Sequence, residues 1–132
     1  MANIQILSSL DTGETRFQSK SVELFSLGGG KTCSPSSSEL LLAAIGAETS
    51  EMLAGHCRNN AWSADNIYIE LALHGVAPWQ AIGRRIWVDG NLTSSQLGSL
   101  LELAEQLPII RNLHPSIYMR SKVARLRRPD LE

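Results

Sequence analysis

Ser36-Ser37-Ser38-Glu39-Leu40-Leu41-Leu42-Ala43-Ala44-Ile45-Gly46-Ala47-Glu48-Thr49 is the stretch on which the fold of this 132-residue chain turns. Ser36 and Glu39 have the spacing of a capping box, in which each side chain satisfies a free backbone N–H at a helix start. A helix from about Ser36 to about Asn59 follows, small or apolar on almost every side, which predicts a central helix enclosed by protein. Glu48 is the misfit. At about 100° per residue, Leu41, Ala44, Met52 and Gly55 lie within roughly 40° of it, so a carboxylate sits among apolar and small side chains.

Upstream, alternation in Ile4, Ile6 and Phe17, then Val22 to Leu27, predicts up to three strands with a turn at Asp11-Thr12-Gly13. The turn-rich Gly28 to Pro35 separates them from the helix. Downstream, Ile67, Ile69, Leu71 and Leu73 alternate with polar or small residues, the pattern of a strand with one buried face. A second strand is expected from Arg84 to Val88, after the turn at Gly75 to Pro78. Thr93 and Gln96 form another capping box, and Leu97, Leu100, Leu101 and Ala104 follow at helical spacing. That helix should stop before Pro108, with a short second one possible. Ile117 to Val123 is the last strand. The order is β(3)-α-β(2)-α(1-2)-β, an α+β fold in a single domain over residues 1–132.

A formal charge of -1 gives no electrostatic argument for nucleic acid or an anionic membrane. No apolar stretch approaches the roughly 20 residues that cross a bilayer, and the first residues lack a signal-like core, so the expected location is cytoplasmic. Cys33 and Cys57 have no paired spacing, which argues against a disulfide scaffold or a zinc site; no cofactor and no metal are expected. Gly30-Lys31-Thr32 fails as a phosphate loop, because Phe25 stands where the first glycine belongs.

The segment Ser37 to Thr49 resembles the signature of the OsmC/Ohr superfamily, the osmotically induced and organic hydroperoxide resistance proteins. There a Pro opens the helix, Glu and Leu-Leu follow, and a small-residue turn leads to the peroxidatic Cys-Thr. Asp89 to Gln96 is similar to the turn before the family's second helix, and Ala104 to Leu113 to the segment carrying its resolving Cys before a Pro. The resemblance covers roughly residues 20 to 125 and implies an intertwined homodimer around a long buried central helix. One helix apolar on all sides in so short a chain points the same way, since its own strands supply only about one layer of cover.

The departures fall on the chemistry. Glu48 stands at the peroxidatic position and Leu107 at the resolving one. Ser37 replaces the helix-opening Pro, with Pro35 two residues earlier, and Ser38 the position that often carries a catalytic Glu, with Glu39 beside it. Family chemistry needs a thiolate that becomes a sulfenic acid and is resolved by a second thiol. A carboxylate has no such oxidised state. Two roles are open for Glu48: a tolerated substitution, hydrated or paired with Arg16, Arg58 or Arg111, or a polar anchor at the base of an apolar pocket between subunits.

The pocket reading takes Glu48, Glu51, Met52, Leu107 and Glu39 as its residues, holding a small apolar ligand or a peroxide in a protein without thiol peroxidase activity. The alternative is a weak or altered hydroperoxide reductase using Cys33, a few residues before the helix start, where the dipole and free N–H groups favour a thiolate. Cys57 lies about 180° from Glu48 around the helix and is expected in the core. Glu51 could share a metal with Glu48, but Met52 and Gly55 occupy the positions where a helical histidine partner belongs.

Overall fold

The computed structural model of the chain describes residues 2–19, 22–26, 36–76, 79–113 and 117–126, and of residues 2, 19, 22–26 and 76 the backbone alone. The elements are β1 (Ala2–Ser9), β2 (Thr15–Ser19), β3 (Val22–Ser26), α1 (Ser37–Asn59), β4 (Ala64–Val76), β5 (Trp79–Gly90), α2 (Ser94–Glu105), α3 (Pro108–Arg111) and β6 (Ile117–Arg125). This is the order expected from the sequence.

The strands form one sheet in the order β3-β2-β1-β4-β5-β6. Neighbours are antiparallel except β5 and β6, which run parallel, and the α2–α3 excursion supplies the crossover that a parallel pair needs. β1 turns into β2 through Gly13 at φ 72°, and β4 approaches its end through Gly75 at φ 85°, a region that favours glycine. β5 begins at Trp79, five residues before the expected Arg84, because Trp79 to Gly83 continue the pairing with Val76 to Ala72. Their polar and small residues hide the period-two signal.

One face of the sheet is apolar. Ile4 and Ile6 of β1, Ile67, Ile69 and Leu71 of β4, and Ile82, Ile86 and Val88 of β5 are buried there. α1 packs across β1 and β4, burying Leu42, Ile45, Leu53 and Cys57. Gly46 makes the close approach possible, since a Cβ there would overlap the Ile6 Cδ1. α2 lies against β6 and α1 through Leu100 and Ala104.

Both capping boxes are formed. Glu39 N–H donates to Ser36 Oγ at 3.1 Å and Ser36 N–H to Glu39 Oε1 at 2.9 Å. The Thr93–Gln96 pair repeats this at 3.1 and 2.9 Å. α1 ends in a Schellman motif: Trp62 N–H donates to the Cys57 carbonyl at 2.9 Å and Ala61 N–H to the Arg58 carbonyl at 3.1 Å. Ala61 occupies the left-handed position, at φ 54°.

Among the described residues of one chain, α1 is covered on one side only. Leu40 and Met52 are 50% and 42% exposed, and Ala44 and Glu51 lie open between them. The helix is therefore central only if something else covers this face.

Candidate functional site

Glu48 follows the buried half-turn Ile45-Gly46, on the border between the covered and open sides of α1, and is half-buried. Its Oε1 accepts a hydrogen bond from the Ile109 backbone N–H at 3.1 Å. Ile109 is the second residue of α3, whose N-cap position, Leu107, has no side-chain acceptor. Glu48 thus does from another helix what a serine or aspartate normally does from the N-cap position, accepting from an otherwise free N–H. Leu107 beside it is 1% exposed. Glu48 therefore bonds two residues beyond Leu107, the buried residue at the position that the resemblance gives to the resolving cysteine.

Of the arginines considered as partners for Glu48, Arg16 pairs with Glu14 at 2.8 Å, and Arg58 and Arg111 are exposed. Glu51 and Met52 are exposed one turn on, and Glu39, a turn or more away at the helix start, is engaged in its capping box. Glu48 and Leu107 are thus gathered at the α1–α3 junction, with Met52 and Glu51 on the neighbouring open surface and Glu39 apart. Cys33, Pro35 and His114 lie outside the described residues. Cys57 is buried, and burial pushes its thiol up from 9.0, with Arg58 opposing.

Arg84, expected from the sequence only as a strand start, lies beneath this junction and is 1% exposed. Its Nη1 donates to Thr49 Oγ1 at 2.9 Å, its Nη2 to the Ala104 carbonyl at 2.8 Å, and its Nε to Ser121 Oγ at 3.0 Å. Thr49 Oγ1 in turn donates to the Ile45 carbonyl at 2.7 Å. One guanidinium thereby joins α1, α2, β5 and β6 next to Glu48. Burial lowers Arg84 to about 10, with Glu105 opposing, so it stays charged at neutral pH. The signal was in the alternation Ile82-Arg84-Ile86-Val88, which puts a cation in the buried register.

A hollow of about 620 Å³ lies elsewhere, on the sheet face away from α1, with Ala72, Gly83, Tyr118 and Arg120 among its walls. It is separated from Glu48 by the sheet.

No protein-family model matches the chain, and no curated protein matches it in sequence. Solved structures do match in shape. An OsmC-like protein from Mycoplasma pneumoniae superposes with a TM-score of 0.61 at 7% identity, over 93% of this chain and 96% of that one. An organic hydroperoxide resistance protein OsmC from Legionella pneumophila gives 0.54 at 13% identity, over 94% and 97%. A hypothetical protein from Aquifex aeolicus VF5 gives 0.56 at 16%, over 96% and 99%. With the element order and the sheet described above, the fold of this chain is the OsmC-like α+β fold.

Proposed function

We propose that this protein is an OsmC-type homodimer that has given up two-cysteine peroxidase chemistry and keeps, beside Glu48, a cleft between subunits for a small apolar ligand. The observation that carries the reading is the Glu48–Ile109 hydrogen bond, which puts a structural carboxylate at the junction where the resemblance places the peroxidatic and resolving thiols. With Oε1 committed to that bond, Oε2 is the anchor left for a ligand's polar group. The open surface beside it is apolar, Met52 and Ala44, with Leu107 buried behind.

The dimer rests on the open face of α1. Exposed Leu40 and Met52, with Ala44 and Gly55 small enough for close approach, make a stripe that a second copy of the helix would cover. The proposed location is the cytoplasm; among the described residues no helix is long and apolar enough to cross a membrane.

Purified protein supplied with cumene hydroperoxide and dithiothreitol tests the reading. Consumption no faster than the dithiol alone is expected. Sustained turnover that disappears in Cys33→Ser would replace it with a reductase built on Cys33.

A further inference from the structure

The hollow on the outer face of the sheet has a floor that nothing inside the protein requires. Gly83 is in the middle of β5, paired on both sides, with neither a positive φ nor a neighbour within 4 Å of where its Cβ would be. Glycine there costs backbone entropy and packing without a return in turn geometry or close approach within the chain. It shares its rung with Ala72 of β4 and Arg120 of β6, and the next rung holds His74, Ala81 and Tyr118. Three small residues thus clear a patch two strands wide, bounded by an aromatic ring and a cation.

The rim is cationic although the chain as a whole is slightly acidic. Arg85, Arg120 and Lys122 stand against one carboxylate, Glu70, whose contact with Arg85 is a loose 3.9 Å. Arg120 lies over the Tyr118 ring at 5.7 Å, so ring and guanidinium form one wall. β6 is an edge strand, and edge cations also deter sheet-to-sheet pairing. That accounts for the charges and not for the bare floor beside them.

We infer that this hollow binds a small aromatic phosphate, its ring lying on Ala72, Ala81 and Gly83 against Tyr118 and its phosphate held by Arg120 and Lys122. The volume of about 620 Å³ suits a ligand of that size. A glycine floor lets a flat ring reach the sheet backbone. Two cations two residues apart on one strand meet a dianion better than a monoanion. The site is independent of Glu48, which lies beyond the sheet.

Phenyl phosphate titrated into uniformly labelled protein, followed by amide shifts of Ala72, Ala81 and Gly83, tests the inference. Saturable shifts confined to these rungs are expected, with inorganic phosphate, benzoate and benzyl alcohol each weaker by about tenfold or more. Gly83→Leu should remove the binding, since its side chain would fill open space. Arg120→Gln, an exposed change that leaves the core alone, should weaken binding by about tenfold and flatten its salt dependence. Shifts that fail to saturate, unchanged affinity in Arg120→Gln, or benzoate binding as tightly as phenyl phosphate would overturn the assignment. So would an oligothymidylate binding about a hundredfold more tightly with a steep salt slope, which would make the face a nucleic-acid surface.

Discussion

Glu48 shows how one side chain can serve a helix other than its own. Its carboxylate ties α1 to the first turn of α3, so Glu48→Ala should cost about 1 kcal/mol, the usual worth of a lost helix cap. Glu48→Gln keeps an acceptor and should cost less than half of that in the same urea titration; equal losses would show that charge rather than capping matters. Arg84 is the harder residue to remove. Deleting it removes the donor to the buried Ala104 carbonyl and the bonds to the Thr49 and Ser121 hydroxyls, and Arg84→Ala should destabilise by roughly 3 kcal/mol. Arg84→Lys, with one ammonium in place of a fork, should recover only part of this.

Cys57 links the core to pH. Its folded-state value is raised, so the folded protein holds the thiol proton more tightly than the unfolded chain does. The resulting stability is fully present below pH 9.0 and is lost as pH rises beyond it. Denaturation of wild type and Cys57→Ala should therefore differ by a constant amount up to about that pH and converge above it. In native protein the thiol should also react with Ellman's reagent far more slowly than in urea.

At the scale of elements, α1 is the most legible part of the chain. Its capping box, its length to Asn59 and the placement of Cys57 in the core are all encoded locally, by side chains that bond or pack within one or two turns. The Thr93–Gln96 box and Pro108 mark α2 and α3 just as clearly. The beginning of β5 was not legible, because Trp79 to Gly83 join the sheet through backbone pairing and Ile82 is the one buried apolar residue among them. Nor could the sequence show Glu48 meeting Ile109, a contact between residues 61 apart. Arg84 was the missed opportunity: a cation at an inward position of a strand has to be explained by buried acceptors. Ala61 offers a test of the helix end. A left-handed alanine at the Schellman position is strained, so Ala61→Gly should leave stability unchanged or raise it by up to about 1 kcal/mol, whereas Ala61→Val should lower it.

For the molecule as a unit, the sheet covers one side of α1 and, among the described residues, nothing covers the other. A helix carrying Leu40, Ala44 and Met52 on its open face is hydrophobic beyond what a lone chain needs. The proposed dimer predicts a light-scattering mass of two chains, and Met52→Glu should shift it toward one. A wild-type mass of one chain would leave that face unexplained and remove the cleft with it. Gly46 sets how near α1 comes to the sheet: Gly46→Leu should destabilise by about 1–3 kcal/mol through overpacking against Ile6 and Leu71.

The central proposal is that Glu48 and Leu107 stand in place of a reacting thiol pair. Its most direct test is the rate of cumene hydroperoxide consumption with dithiothreitol in wild type and in the double variant Glu48→Cys, Leu107→Cys. Background consumption is expected in the wild type and turnover in the double variant, whose two thiols would sit at the α1–α3 junction. Turnover in the wild type, with no gain in the double variant, would contradict it.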